Sequence, residues 1–98
     1  SSSSDAQLPA AALELNSYPN PFREISNITL KGLDSKQAMK VEIYNLRGQK
    51  IRTLHDAEAK NKLSWDATDD DGRKVSTGIY LINVRQGTHS LTRKMLKL

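Results

Sequence analysis

The clearest candidate for metal chemistry is a short acidic segment, Asp66-Ala67-Thr68-Asp69-Asp70-Asp71-Gly72. Carboxylates clustered around a glycine turn can bind calcium, and the EF-hand loop places its first ligand and its final glutamate at fixed distances from that glycine. In this chain those two positions hold Ala67 and Gly78. Aspartate side chains in turns also hydrogen-bond to their own backbone. The sequence therefore favours a surface turn over a calcium site.

No residues have the spacing of a catalytic site. A glycosidase needs two carboxylates on rigid elements about 5 to 10 Å apart in a cleft, whereas these acids crowd into one turn. His55 and His89 are distant in sequence, and no serine lies in a nucleophile elbow or triad. The absence of cysteine excludes thiol catalysis, disulfides and cysteine-ligated metals. We therefore predict a domain that is not an enzyme, with no cofactor, metal or small-molecule substrate.

Positive charge is concentrated at the end of the chain. The 98 residues have a net charge of +4, and residues 1–84 contain equal numbers of basic and acidic side chains. The excess comes from Arg85, Arg93, Lys94 and Lys97. Nucleic-acid binding usually combines basic residues with stacking aromatics, and no aromatic residue follows Tyr80. We predict no nucleic-acid partner and interpret the basic end as a recognition element.

Short segments of alternating apolar and polar residues, separated by turn residues, follow residue 12. This pattern predicts strands over 13–17, 27–31, 40–44, 51–53, 63–65, 78–84 and 88–98. Seven such strands favour an all-β antiparallel sandwich of the Ig-like or fibronectin type III-like kind. No run of about 18 apolar residues is present, which excludes a transmembrane helix.

The remaining segments complete the predicted domain. Residues 1–12 are small and polar and are predicted to form a flexible linker, with the domain over residues 13–98. Residues 55–62 contain helix formers but span only about two turns, so a loop is predicted. Trp65 is expected to fill the core. In the last strand, apolar residues fall on both faces, which predicts a bulge or an irregular end near Lys94.

Five segments in order resemble the type A C-terminal sorting domain of the Bacteroidota type IX secretion system. They are Tyr18-Pro19-Asn20-Pro21-Phe22, the run from Val41 to Ile51, Trp65-Asp66, the run from Asp71 to Tyr80, and Lys94-Met95. The resemblance implies an Ig-like domain that directs an N-terminal cargo domain of the same chain through the periplasm and across the outer membrane. The cargo is then secreted or held at the cell surface, after a cysteine-protease sortase removes the domain. A cut is expected before Leu13, where the backbone is unprotected.

The resemblance also implies which residues the translocon recognises. They are Gly78, Ile79 and Tyr80 in the late Gly-x-Tyr segment, and Lys94, Met95, Leu96, Lys97 and Leu98 at the basic end. Cores and turns need tyrosine and glycine as well, so Gly78–Tyr80 is weighed more towards fold and the basic end more towards signal. The last strand is expected to offer an accessible edge to a receptor, or weakly to a second copy. Ala67 replaces a glycine frequent in the family, which should alter a turn.

Two other functions fit the same pattern of strands. The chain is also similar to the Ig-like domain of the flagellar hook-capping protein, which assists assembly. An accessory module of a secreted hydrolase, acting as a spacer or binding a glycan, is the other alternative. Glycan binding usually requires exposed aromatic residues, and the chain has five aromatics, most of which the core is expected to use.

Overall fold

Alternating side chains place one face of each strand in a shared core. The computed structural model describes residues 13–98, and the predicted linker over residues 1–12 lies outside them. The strands are β1 (Glu14–Tyr18), β2 (Ser26–Lys31), β3 (Ala38–Asn45), β4 (Lys50–Glu58), β5 (Lys62–Trp65), β6 (Gly78–Gln86) and β7 (His89–Lys97). Within the described residues, no helix is long and apolar enough to span a membrane.

The strands form two antiparallel sheets. One has the order β1-β2-β5 and the other the order β4-β3-β6-β7. The sheets bury their facing apolar residues against each other. These are Leu15, Phe22, Ile28, Leu30, Met39, Val41, Ile43, Trp65, Ala67, Tyr80, Ile82, Val84 and Met95. The predicted seven-stranded antiparallel β-sandwich is confirmed.

Trp65 occupies the centre of an aromatic cluster, as predicted. Its ring centroid lies 5.6 Å from that of Phe22 and 5.3 Å from that of Tyr80. The indole is fully buried, and its Nε1 donates a hydrogen bond to the Thr68 carbonyl at 2.8 Å. The polar atom of a buried tryptophan is thereby satisfied, so Trp65 links both sheets to the turn that follows β5.

Two local predictions were wrong. The predicted loop over residues 55–62 is strand as far as Glu58, because β3 extends to Ala38 and pairs with Glu58. The paired backbone satisfies hydrogen bonds that an isolated two-turn helix cannot keep. There is also neither a bulge nor an irregular end near Lys94, since the β6–β7 register is unbroken from Gly78 opposite Lys97 to Gln86 opposite His89. The register shifts instead between β3 and β4.

Candidate recognition site

The two segments predicted to carry the signal lie side by side. Gly78 pairs with Lys97, Ile79 with Leu96, and Tyr80 with Met95. We call residues 78–80 and 94–98 together the terminal corner. It lies at one end of the four-stranded sheet, where β6 begins and β7 ends. The fold therefore brings together two segments that are separated in the sequence.

The side chains of the terminal corner divide between the core and the surface. Tyr80 and Met95 are buried, at 6% and 1% exposure. The Tyr80 hydroxyl donates to the Ser76 carbonyl at 2.7 Å, which is the tyrosine corner of Ig-like sandwiches. Ile79 points outward, with 38% of its surface exposed, beside half-buried Leu96. The geometry gives Tyr80 and Met95 structural roles and leaves their neighbours on the surface.

The expectation of an accessible edge is wrong for the last part of β7. The Phe22 amide donates to the Leu96 carbonyl at 2.9 Å, and the Leu98 amide donates to the Phe22 carbonyl at 2.8 Å. The Asn20 side chain donates to the Lys94 carbonyl and accepts from the Leu96 amide, both at 3.0 Å. An asparagine amide supplies one acceptor and a donor, like a peptide group. The segment over residues 20–22 thus covers the edge.

Sequence reasoning missed the role of Asn20. The signal that could have indicated it is the flanking pair Pro19 and Pro21, which prevents residues 19–21 from forming an ordinary ladder. An asparagine between two prolines can still bond to a strand through its side chain. Unpaired edges favour unwanted association, so Asn20 and Phe22 together protect the last part of β7.

A shallow cleft opens beside the terminal corner. Asn20, Ile79, Lys94, Met95 and Leu96 line its volume of about 220 Å³. Its surface combines aliphatic side chains with the Lys94 ammonium and the Asn20 amide. A larger cleft of about 810 Å³ lies elsewhere, between the segments 30–35 and 59–62, and none of the predicted recognition residues lines it. Four of the residues that line the smaller cleft are predicted recognition residues, namely Ile79, Lys94, Met95 and Leu96. A second cleft, of about 490 Å³, contains Gly78, Ile79 and Tyr80.

A buried carboxylate lies on the outer face of the same sheet. Glu42 in β3 is only 3% exposed, and its carboxylate is 3.9 Å from Lys40 Nζ, 3.7 Å from Lys50 Nζ and 3.1 Å from Arg85 Nη2. The Tyr44 hydroxyl donates to it at 2.8 Å. We call these five residues the Glu42 cluster. Sequence reasoning missed it because the cluster depends on cross-strand register.

The electrostatics of the Glu42 cluster keep its carboxylate ionised. Burial by itself raises the pKa of Glu42. The hydrogen bond from Tyr44 and the charges of Lys40, Lys50 and Arg85 together outweigh burial and lower the pKa below its ordinary value of 4.5. The ionised carboxylate therefore holds three cations at one place on the sheet.

The acidic turn uses its carboxylates to stabilise backbone. The Asp69 carboxylate accepts from the Asp71 and Arg73 amides at 2.9 and 3.0 Å, and the Asp70 carboxylate accepts from the Thr53 amide at 3.0 Å. These bonds match the predicted surface turn. Ala67 is buried with a φ of +62°, a left-handed conformation that glycine adopts more readily.

The remaining candidate residues are not brought together. His55 lies on β4 and His89 on β7, and two other strands separate these in the sheet order. The His55 Nε2 contacts the Glu58 carbonyl at 2.6 Å. Within residues 13–98, no group of three histidine, cysteine, aspartate or glutamate side chains is placed to hold a metal ion.

Comparison with known proteins adds two kinds of match. A family model described as a secretion system C-terminal sorting domain matches residues 16–97. No curated protein sequence matches the chain significantly.

Two solved structures from Porphyromonas gingivalis share the fold, each at a TM-score of 0.66 and 22% identity. One is dimeric latent PorU, with 89% of this chain and 9% of that chain covered. The other is PorZ, described as an essential bacterial surface component of the type-IX secretion system, with 86% and 11% covered. This chain therefore spans about a tenth of either protein.

Proposed function

Given that this chain belongs to the family of secretion system C-terminal sorting domains, we propose that the type IX machinery recognises it at the terminal corner. A domain of this family is a non-catalytic signal that directs secretion of a cargo protein, which passes through the periplasm and is secreted or held at the cell surface. The proposal concerns which surface of the domain carries the signal.

The observation that carries the proposal is the cross-strand pairing of Ile79 with Leu96. Both side chains lie on the outer face of the sheet, next to Lys94 and the cleft. Apolar contacts flanked by a cation suit a protein partner, because buried aliphatic groups supply affinity and charges supply orientation. Tyr80 and Met95 pack in the core on the opposite face of the sheet and help to hold β6 and β7 in register.

Leu98 follows the outward alternation of Leu96, whereas Lys97 has the same parity as Met95 and lines a separate cleft with Asp66 and Lys74. Leu98 is 43% exposed, and its amide is bonded to Phe22. Residues 20–22 already occupy this part of the edge of β7. A receptor would therefore bind the side chains of the terminal corner or displace residues 20–22. Because this part of the strand is covered, we do not propose that two copies of the chain pair through it.

We also propose finer steps for the secreted chain. The translocon would accept the folded domain, and a sortase would cut in residues 1–12, before β1 begins at Glu14. Mass spectrometry of the released cargo tests the cut. A cargo terminus within residues 1–12 supports it, whereas cargo that retains β1 contradicts it.

The alternative functions make a different prediction for the surface. A glycan-binding module needs exposed aromatic rings, but Phe22, Trp65 and Tyr80 are buried and Tyr18 is the exposed aromatic at 78%. A spacer or assembly module tolerates changes on either sheet alike, provided that the domain folds. Variants that change the surface of one sheet at a time therefore distinguish a sorting signal from a spacer.

The test is a reporter fused to residues 1–98 behind a periplasmic signal, in a bacterium with a type IX system. One variant reverses charge at the terminal corner, K94E/K97E. The matched control, K31E/K62E, reverses two lysines on the three-stranded sheet. We expect the first variant to stay in the periplasm and the control to be exported.

Thermal unfolding of the purified domains tests whether both variants fold. Equal export of the two folded variants would contradict the proposal. Point substitutions are preferable to deletion of Lys94–Leu98, because deletion also removes Met95 from the core and the partners of Asn20 and Phe22.

A further inference from the structure

The outer face of the four-stranded sheet changes in character along its strands. At one end, Ile79 lies opposite Leu96. Further along, Lys94 lies opposite Leu81, and the Glu42 cluster begins where Tyr44 pairs with Leu81. The face therefore runs from an apolar end at the terminal corner to a cationic region around Glu42.

The Glu42 cluster presents cations while it hides the anion. The side chains of Lys40, Lys50 and Arg85 are 41%, 46% and 51% exposed, whereas that of Glu42 is 4% exposed. A partner approaching this region would meet three positive groups and almost none of the carboxylate. Among the described residues, Asp56 is the acid paired across from Lys40, and it lies on the edge strand β4.

Glu42 also restricts where the cations can be. An exposed lysine samples many rotamers, and ordering it on binding costs free energy. Three cations within 4 Å of one buried carboxylate are partly ordered before a partner arrives. Such preorganisation increases affinity for a ligand whose charges match the arrangement.

We propose that this face binds an acidic, extended segment of a partner protein through Lys40, Lys50 and Arg85. Alternate residues of an extended segment lie about 7 Å apart and point to one side, so its carboxylates can each meet a different cation. The apolar end at Ile79 and Leu96 receives an aliphatic side chain of the same segment. The contact shares Ile79 and Leu96 with the terminal corner. Its cations, Lys40, Lys50 and Arg85, lie outside that corner, and peptide binding tests them separately from export.

A protein segment fits better than a single polyvalent anion. A phosphate needs donors that converge on one point, but here the point of convergence is already occupied by the Glu42 carboxylate. Nucleic acid would need several exposed stacking surfaces, and the aromatic residue on this face, Tyr44, is half-buried. Carboxylates spread along a chain avoid repulsion from Glu42 and still reach the surrounding cations.

The experiment measures binding of a fluorescent peptide to the purified chain by anisotropy at low ionic strength. In the test peptide, glutamates alternate with threonine and leucine, so that the carboxylates share one side when extended. The control peptide has the same composition with its glutamates in one run. We expect the alternating peptide to bind more tightly and the binding to weaken with salt.

Three variants test the residues. K40Q/R85Q should weaken binding of the alternating peptide about tenfold, as expected for two partly exposed ion pairs. K31Q/K62Q removes the same charge from the other sheet and should leave binding unchanged. E42Q makes the domain more positive yet releases its cations, so it should weaken binding.

The E42Q result separates this proposal from simple attraction between opposite charges. Tighter binding of the peptide to E42Q would overturn the proposal, as would equal losses in K40Q/R85Q and K31Q/K62Q. Tighter binding of tripolyphosphate than of the alternating peptide would also overturn it and would indicate a phosphate ligand. If E42Q does not fold, the K40Q/R85Q comparison decides, because both of its positions are half exposed.

Discussion

The outer faces of the two sheets follow the same alternation but differ in chemistry. The three-stranded sheet presents mainly amides and hydroxyls, with Asn16 opposite Thr29 and Asn27 opposite Ser64. The four-stranded sheet presents the Glu42 cluster and the apolar pair of the terminal corner. Alternation determines which residues face outward, whereas register determines which of them become neighbours.

This difference between the sheets parallels the proposed location of the sorting signal. The residues predicted to carry the sorting signal all belong to the four-stranded sheet or to the chain end that follows it. The three-stranded sheet supplies Leu15, Ile28 and Leu30 to the core and has no comparable charged cluster among the described residues. The proposed function therefore places recognition on the four-stranded sheet and gives the three-stranded sheet a supporting role.

The largest expected effect is the loss of the core that holds the two sheets together. Replacing Trp65 with alanine empties the space between the two sheets and should lower the free energy of unfolding by about 3 to 5 kcal/mol, most of the stability of a small domain. Urea unfolding measures the change. The control, Tyr18→Ala at an exposed position, should change stability by about 0.5 kcal/mol or less. Similar values for both variants would contradict the assignment of Trp65 to the core.

The second expected effect is a difference in stability between matched substitutions on the outer faces of the two sheets. Glu42→Gln leaves three cations beside a neutral group and should destabilise the domain by about 1 to 2 kcal/mol. The matched change on the other sheet, Glu14→Gln, removes an exposed carboxylate and should cost about 0.5 kcal/mol or less. Thermal and urea unfolding of the pair provide the measurement. Equal stabilities would show that the Glu42 cluster does not stabilise the sheet.

The third effect is the pH dependence of the Glu42 contribution. The pKa of Glu42 is lowered in the folded state, so the ionised carboxylate favours folding. Its contribution is complete above the ordinary pKa of 4.5 and is lost as the pH falls through the lower folded value. The difference in unfolding free energy between the native chain and E42Q should therefore shrink on acidification. A difference that grows instead would contradict the direction of the shift.

The smallest expected effect concerns the turn that both sheets share. Ala67→Gly relieves a left-handed conformation worth about 1 kcal/mol but loses a buried methyl group of about 0.8 kcal/mol. The net change in unfolding free energy should be less than about 1 kcal/mol. Ala67→Val is the control, because a larger branched side chain at this buried, left-handed position should destabilise the domain by about 1 to 3 kcal/mol. A loss of unfolding free energy well above about 1 kcal/mol in Ala67→Gly would contradict the expectation that the two contributions nearly cancel.

The sequence predicted the features that depend on local pattern. Strand alternation and turn residues predicted the seven-stranded sandwich, and the single tryptophan predicted a core position. The sequence pattern did not predict that β4 continues to Glu58, because the length of β4 depends on the length of its partner β3. Cross-strand register, which the alternation leaves open, creates the Glu42 cluster. The covered edge depends instead on side-chain hydrogen bonds between Asn20 and residues that follow it by 74 and 76 positions in the sequence.

The central claim is that the outer face of the four-stranded sheet, at the terminal corner, carries the sorting signal. The most direct test compares the exported fraction of two reporter fusions, each with one exposed apolar residue replaced by serine. Ile79→Ser changes the terminal corner, and Tyr18→Ser changes the three-stranded sheet. We predict that Ile79→Ser is retained in the periplasm while Tyr18→Ser is exported like the unchanged domain. Equal export of the two folded variants would contradict the claim.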